Sequence, residues 1–299
     1  MDNRSEIRDF LATRRAKLTP EQVGLPTSGR RRVPGLRREE VAVLAGVSTD
    51  WYIRLEKGHI SGVSNDVLDA VARALQLSDV ERDHLYNLAR AAKPTRTPRS
   101  RTKTPIPASL QRVLDSMSLT AAFVRNGRLD ILASNQLARA LYAPVLDEPA
   151  HRANIARFDF LDPRAADYYP EYEGALSTAV ALLRTEAGRA PHDKDLTELI
   201  GELATRSEAF RARWGTHDVR THRTGVKKFN HPVVGHLELA YDSMELVAAD
   251  GLVLTAYTAE PATASADALS LLASWAATEA SPADPRAARA ESDPTTTSD

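Results

Sequence analysis

Apolar residues recur at helical spacing through the first 91 residues of the chain. Within residues 5–18, Ile7, Phe10 and Leu11 fall on one face of a helix, and Ser5 is its expected N-cap. Further amphipathic segments of the same kind occupy about 36–45, 49–57, 64–75 and 79–91. Because this part of the chain shows no strand signal, the pattern predicts an all-α, five-helix domain over residues 1–92.

The pattern changes at three points further along the chain. Residues 93–108 combine basic residues with Pro and Thr and lack apolar periodicity, which is typical of a linker. Strand and helix patterns then follow one another over residues 109–276. The last residues, 277–299, form a low-complexity segment that is expected to be disordered.

Residues 109–276 are predicted to form an α+β domain with an antiparallel sheet of about five strands. Asn126-Gly127 lies between two strand-like segments, which is a strong hairpin signal. The other strand patterns lie at about 219–229, 234–247 and 252–259. Helical patterns lie at about 135–143, 151–160, 164–188, 194–205, 207–215 and 265–276.

Composition gives an indication of where in the cell the protein is located. The chain of 299 residues has no Cys and no run of 18 apolar residues, so disulfides, thiolate metal sites and a membrane span are not expected. Its charged N-terminus lacks the apolar segment of a signal peptide. These features predict a cytoplasmic protein.

Charge is distributed unevenly between the two parts of the chain. Residues 1–104 contain 20 Lys and Arg against 13 Asp and Glu, whereas the remaining residues contain 19 against 27. A basic region attached to an acidic one indicates a module that binds a polyanion. Charge alone also fits a merely uneven surface, so the interpretation depends on the motif within the basic region.

That motif lies in residues 44–58, LAGVSTDWYIRLEKG, where a glycine turn leads directly into a helix with aromatic and basic side chains. A helix-turn-helix needs a small residue where the helices meet, a Gly able to adopt positive φ, and apolar contacts on both sides of the turn. The residues expected to form this core are Ala42, Gly46, Val47, Tyr52 and Leu55. Ser48 or Thr49 is the expected cap of the second helix.

The wider segment RREEVAVLAGVSTDWYIRLEKG resembles the helix-turn-helix family of phage-repressor (Cro/C1 or XRE) type, which implies a lambda-repressor-like fold. Tyr52 departs from the Ile or Val usual in that family and is interpreted as a core residue. In the family geometry the second helix enters the major groove of DNA. The side chains expected to contact base edges are Thr49, Asp50, Ile53 and Arg54. Those expected to contact phosphates are Arg30, Arg31, Arg32, Arg37, Arg38 and Lys57.

Residues 109–276 resemble the MmyB-like, PAS-like ligand-binding domain found behind such modules. The likeness is carried by NGRLDILASNQLARALY, NIARFDFLDPRAADYY, GELATRSEAFRARWGTHDVR, HPVVGHLELAY and YTAEP, in that order. Ser134 departs from the Trp that the family tends to have there. The resemblance implies a sensor of a small, apolar molecule such as a fatty acid. The candidate ligand contacts, for which a plain core role stays open, are Phe158, Phe160, Leu239, Tyr241 and Tyr257.

Enzymatic and metal-binding roles find little support in the sequence. The histidines and acid that superficially resemble metal ligands are His217, Asp218, His222, His231 and His236. They lack the tight spacing of a ligand pair, and no catalytic glycine or serine motif is present, so no metal, cofactor or enzymatic activity is expected.

The sequence as a whole predicts a ligand-controlled transcriptional regulator. Because one recognition helix buries little surface, a homodimer on a pseudopalindromic site in double-stranded DNA is expected. The alternative is a DNA-binding scaffold or antitoxin-like protein, in which the C-terminal domain binds a protein partner.

Overall fold

The computed structural model describes residues 3–26, 33, 35–92, 106–216, 223–249 and 251–280. The N-terminal region consists of five α-helices and a short 3-10 turn at Glu21–Val23. The helices are α1 (Asn3–Lys17), α2 (Arg38–Ala45), α3 (Thr49–Glu56), α4 (Asn65–Ala74) and α5 (Asp79–Ala91). Their apolar faces enclose one core, which contains Phe10 of α1, Tyr52 of α3 and Leu85 of α5.

The C-terminal domain begins with α6 (Ala108–Asp115) and the hairpin β1 (Ala121–Arg125) and β2 (Ile131–Ser134). A helical insert follows, made of α7 (Gln136–Leu141), α8 (Ala143–Leu146), α9 (Ile155–Leu161), α10 (Arg164–Tyr168), α11 (Tyr172–Arg189), α12 (Lys194–Arg206) and α13 (Glu208–Trp214). A second 3-10 turn, Pro149–His151, precedes α9. The domain ends with β3 (Thr224–His231), β4 (Gly235–Glu245), β5 (Val253–Thr258) and α14 (Ala264–Ala280).

The five strands form one antiparallel sheet in the order β2-β1-β5-β4-β3. The β1–β2 hairpin is held by Asn126, whose side-chain oxygen accepts hydrogen bonds from the backbone N–H groups of Arg128 and Asp130, at 2.9 and 3.0 Å. These two bonds close the turn that the Asn-Gly pair predicts.

Both faces of β1 are covered. Alternate residues of β1, Ala121 and Phe123, face the main core under the insert helices, whereas Ala122 and Val124 pack with Leu114 of α6 in a smaller cluster behind the sheet. Because side chains alternate along a strand, Arg125 shares its face with Ala121 and Phe123. The sheet therefore points a basic residue toward the inside of the domain.

This architecture confirms the predicted fold class, a five-helix region followed by an α+β domain with an antiparallel sheet. Four details differ from expectation. Ser5 lies within α1 and is not its N-cap, α6 was not predicted, and α14 continues to Ala280 through an alanine-rich stretch assigned to the tail. The helix expected over 164–188 is two helices, because Pro170 lies in the short break between α10 and α11.

The two regions meet where α5 packs against α11. Gly188 of α11 lies so close to α5 that a Cβ built on it would be 2.7 Å from Cε1 of His84. One turn earlier, Arg184 is fully enclosed and forms an ion pair with Glu6 of α1. Arg184 also donates a hydrogen bond to the carbonyl of Trp214 and lies 4.1 Å from the centre of the indole ring. The contact between the regions is therefore close and partly ionic.

Within the described ranges, none of the helices combines the length and the apolarity needed to cross a membrane.

Candidate functional site

The turn between α2 and α3 has the geometry that a helix-turn-helix requires. Gly46 has φ of 65°, in the left-handed region that favours glycine, and its position ends α2. The backbone N–H of Val47 donates to the carbonyl of Ala42 at 2.9 Å, which closes the turn. Ser48 then caps α3, because its side-chain oxygen accepts a hydrogen bond from the backbone N–H of Trp51 at 3.2 Å.

Helix α3 presents a polar outer face. Thr49, Asp50 and Arg54 are exposed, and Ile53 is half-buried beside them. On the inner side, Tyr52 and Leu55 are buried with Ala42 in the core of the region, and Val47 packs at its edge. The side chains expected to contact bases thus lie on one exposed face, apart from the expected core residues.

A buried carboxylate anchors α3 to two other parts of the region. Glu56 is 1% exposed and bonds to Arg15 of α1 at 2.9 Å and to Arg38 of α2 at 2.9 Å. Burial opposes ionisation of Glu56, but the hydrogen bonds from the two arginines outweigh it and hold the pKa of Glu56 below its ordinary value. Helix α3 is therefore fixed in orientation by an ion-pair cluster.

The residues expected to contact phosphates differ in their surroundings. Lys57 is exposed at the end of α3, and Arg37 is partly exposed at the start of α2. Arg38 is half exposed, but its guanidinium is already bound to Glu56. Arg30, Arg31 and Arg32 lie outside the described residues.

The C-terminal domain contains a cavity of about 280 Å³ between the sheet and the insert helices. One wall is α11, whose lining residues are Gly174, Ala175, Thr178, Ala179 and Leu182. Most of these are small, and no atom lies within 4 Å of a Cβ built on Gly174. The cavity exists here because a helix with small side chains lies over a sheet that carries large ones.

The opposite wall consists of aromatic rings around basic groups. Tyr142 and Tyr257 share a hydrogen bond of 2.8 Å between their hydroxyl groups. Lys227 lies beside them, with Nζ 3.4 Å from the Tyr142 hydroxyl and 4.2 Å from the centre of the Tyr169 ring. Burial raises the pKa of Tyr142 well above its ordinary value, so this hydroxyl pair stays neutral.

Five charged side chains lie within this lining, contrary to the expectation of an apolar site. Glu171 and Lys228 pair with each other at 3.0 Å. Arg125 and Asp159 are buried, and Lys227 is largely enclosed by the rings around it. Burial lowers the pKa of Lys227 to about 8, against the attraction of Asp159. Burial also raises the pKa of Asp159 to about 7. The cavity therefore carries positive charge at neutral pH.

The five side chains expected to contact a ligand separate into two groups. Tyr241 and Tyr257 line the cavity. Phe158, Phe160 and Leu239 instead pack in the hydrophobic core and form no part of the cavity wall. The structure thus gives these three the plain core role that the sequence left open, since apolar periodicity identifies inward-facing residues but does not separate cavity wall from solid core.

Sequence reasoning missed Arg125, Lys227 and Asp159, although strand alternation carried a signal for two of them. Arg125 follows Ala121 and Phe123 at even spacing, and Lys227 precedes Phe229 in the same way. A basic residue at an inward position of a strand is unusual enough to mark a site. Asp159 lies between two phenylalanines on α9 and had no such periodic signal.

A second, larger cavity of about 530 Å³ lies where the two regions meet. It is lined by His84 and Asn87 of α5, by Glu186 and Arg189 of α11, and by Arg125 of β1 among others. Arg125 thus borders both cavities.

The histidines considered as metal ligands have other surroundings. His231 is buried, with Nε2 3.1 Å from the carbonyl of Ala140, and His236 lies 3.4 Å from the side-chain oxygen of Asn230. His217, Asp218 and His222 lie outside the described residues. In the part of the chain that the structure covers, no three His, Asp or Glu side chains are placed to hold a metal ion.

Two family models match the chain. Residues 106–272, more than half of the chain, match the MmyB-like transcription regulator ligand binding domain. Residues 6–85 match a helix-turn-helix domain. A search of curated proteins gave no significant match. The first model covers the cavity, and the second covers the turn at Gly46 and helix α3.

Proposed function

The chain belongs to the family of MmyB-like transcription regulators, with a DNA-binding helix-turn-helix and a ligand-binding domain, and on that premise we propose that it binds a pseudopalindromic operator as a homodimer. In this proposal, α3 of each protomer enters the major groove at one half-site. A small molecule in the cavity of the C-terminal domain changes the affinity for DNA.

The exposed face of α3 is the observation that carries the proposal. Thr49, Asp50 and Arg54 are exposed at the N-terminal part of a helix whose inner face is fixed in the core. Arg54 is the side chain suited to read guanine, because guanidinium can donate two hydrogen bonds to O6 and N7. Ile53 is placed beside it for a thymine methyl group.

The phosphate contacts would flank that face. Lys57 and Arg37 lie near the ends of α3 and α2, where a basic side chain sets the position of the protein on the duplex without reading sequence. Arg38 can add a contact through the half of its side chain that remains exposed beside Glu56. We place Arg30, Arg31 and Arg32 in the same role from sequence alone.

Helix α11 supports control by a ligand. It lines the cavity through its first half and packs against α5 of the N-terminal region through its second half. A ligand that fits one arrangement of α11 better than another would therefore shift the N-terminal region as well. The shift between the two arrangements cannot exceed the difference between their binding free energies for the ligand.

Selection of genomic DNA fragments by the purified full-length protein tests the DNA-binding part. We expect an inverted repeat from the wild type. Arg54→Ala is expected to lose about 1–3 kcal/mol of binding free energy and to relax the preference at one base position of each half-site. Arg90→Ala removes an exposed arginine of α5 and serves as the matched control, with the motif retained.

Two results would contradict the proposal. An Arg54→Ala variant that keeps the full base preference would mean that α3 does not read the operator as described. Failure of the wild type to select any motif, together with stable copurification of one polypeptide, would favour the scaffold alternative.

A further inference from the structure

The cavity contains a buried cation that lacks a counter-ion. Arg125 is 6% exposed, and among the described residues its guanidinium makes one long hydrogen bond, 3.4 Å from Nη1 to the carbonyl of Asn126. Among the described residues, no carboxylate lies within 4 Å of its guanidinium. Glu186 attracts it only from a greater distance. Buried charges are normally paired, because removing an ion from water costs several kcal/mol.

Lys227 places a second cation in the same cavity. Its stem crosses the inner face of β3, and its ammonium group lies against the ring of Tyr169 at 4.2 Å. The ring faces supply partial negative charge but no full counter-ion. Arg125 and Lys227 lie close enough to repel each other, which contributes to the lowered pKa of Lys227.

Asp159 does not neutralise this pair. Its Oδ1 atom is buried without a hydrogen-bond partner, which shows that neither cation reaches that oxygen. With its pKa raised to about 7 by burial, Asp159 is only partly ionised at neutral pH. The hydroxyl of Tyr169 is likewise buried without a partner. Glu171 and Lys228 also line the cavity but pair with each other at 3.0 Å. Besides that pair, the cavity presents two cations and two unpaired polar atoms to whatever fills it.

The other residues of the cavity wall indicate the size and the apolar part of the ligand. Phe123, Leu129, Ile155 and Leu182 supply apolar surface next to the tyrosine rings. At about 280 Å³ the cavity lies at the lower end of the range for small-molecule sites. A complementary molecule is therefore compact, with an apolar or aromatic body and negative charge at one end.

We propose that the cavity binds a compact organic anion, and that Arg125 and Lys227 together hold its anionic group. The inference deepens the proposed function, on which it rests for the role of the cavity as a ligand site. The shared chemistry is a carboxylate or another oxyanion attached to an apolar body, because a guanidinium beside an ammonium offers several donors to such a group.

Two fluorescent dyes that differ in a single group test this directly. 8-Anilinonaphthalene-1-sulfonate carries a sulfonate, and N-phenyl-1-naphthylamine has the same ring system without it. Titrated into the full-length protein at pH 7 and moderate salt, the sulfonate dye is expected to bind at least tenfold more tightly. Arg125→Met and Lys227→Met are each expected to remove most of this preference while leaving binding of the neutral dye little changed.

Matched variants separate the site from general charge effects. Arg139→Met and Lys194→Met each remove an exposed cation of the same domain and are expected to keep the tenfold preference. Arg125→Lys retains a positive charge and is expected to keep most of the preference for the sulfonate dye. If Arg125→Met does not fold, the Lys227→Met and Arg125→Lys results still decide the question.

Equal binding of the two dyes, binding of neither, or a preference that survives both methionine variants would overturn the inference. The measurement needs no DNA, so its outcome is independent of operator selection. If the protein selects an operator but shows no anion preference, the proposal of a DNA-binding regulator stands and the proposed ligand class is wrong. If it shows the anion preference but selects no operator, the anion site stands and the assigned DNA contacts are wrong.

Discussion

Arg125 and Arg184 are both almost fully enclosed, the first at the end of β1 and the second in the middle of α11, yet their surroundings differ. The guanidinium of Arg184 meets the carboxylate of Glu6, the carbonyl of Trp214 and the face of its indole ring. The guanidinium of Arg125 has one long hydrogen bond to a backbone carbonyl. Both arginines lose hydration, but only Arg184 gains a carboxylate partner among the described residues.

This difference in partners distinguishes a charge that stabilises the fold from a charge that is available to a ligand. Arg184 joins two regions of the chain, because its carboxylate partner is 178 residues away in α1. This ion pair forms without any ligand. Arg125 faces empty space on two sides, toward the ligand cavity and toward the cavity between the regions. We infer that folding maintains the first charge and that ligand binding stabilises the second.

The largest predicted effect concerns the contact between the N-terminal region and the C-terminal domain. Arg184→Met removes the guanidinium that pairs with the enclosed Glu6, and breaking a buried pair in this way destabilises proteins by about 3–5 kcal/mol. Urea unfolding of the full-length protein measures the change in the free energy of unfolding. Arg206→Met, which removes an exposed arginine paired with Glu202, is the control and is expected to cost less than about 1 kcal/mol.

A smaller effect is expected from widening the same contact. Gly188→Ala places a methyl group 2.7 Å from the His84 ring, so α5 and α11 must separate or the ring must shift. Overpacking of this kind costs about 1–3 kcal/mol. Gly201→Ala, in α12 with no atom within 4 Å, is the matched control and is expected to stabilise by about 0.5–1 kcal/mol through helix propensity. Opposite signs for the two variants would support the close contact, and equal signs would argue against it.

Asp159, which lines the same cavity as Arg125, is expected to make the stability of the protein depend on pH. Its pKa is raised to about 7 by burial, whereas an unfolded Asp titrates near pH 4. Between these values the folded protein keeps a proton that the unfolded chain has lost, so stability falls as pH rises from about 4 to about 7. The slope is at most about 1.4 kcal/mol per pH unit.

Asp159→Asn removes this titration and is expected to flatten that part of the curve. Urea unfolding at pH 5, 6 and 7 for the wild type and the variant gives the difference directly. A difference that stays constant across the three pH values would show that Asp159 is ionised throughout. In that case it would act as a permanent counter-ion of the cations in the cavity.

The helix-turn-helix could be predicted from sequence because its determinants are local. Gly46 for the left-handed turn, Ser48 for the cap and the spacing of Ala42 all lie within seven residues of one another. The Asn126-Gly127 hairpin is local in the same sense. Helix α6 was missed because its short, partly exposed pattern follows directly on a Pro-rich basic segment.

The charged features of the molecule could not be read in the same way. The partners Glu6 and Arg184 are too far apart in sequence for any spacing rule to connect them. The cavity depends on the small residues of α11 lying over β1 and β3, which periodicity does not reveal. The inward position of Arg125 could be predicted from strand alternation, but its lack of a counter-ion required the packed structure.

The smallest predicted effect is also the one that tests the comparison most closely. Arg125→Met removes a buried charge that has lost its hydration without gaining a carboxylate partner. It replaces this charge with an apolar side chain of similar length. We therefore expect the free energy of unfolding to change by less than about 1 kcal/mol, or to increase, in contrast to Arg184→Met. The same urea experiment measures both variants.

Addition of the anionic dye sharpens this last test. Because a ligand that binds only the folded state stabilises it more as the ratio of its concentration to its Kd rises, the dye should raise the free energy of unfolding more for the wild type than for Arg125→Met. A loss of about 3 kcal/mol or more in Arg125→Met without any ligand would mean that Arg125, like Arg184, is a structural charge. The two arginines would then differ in their partners but not in their role.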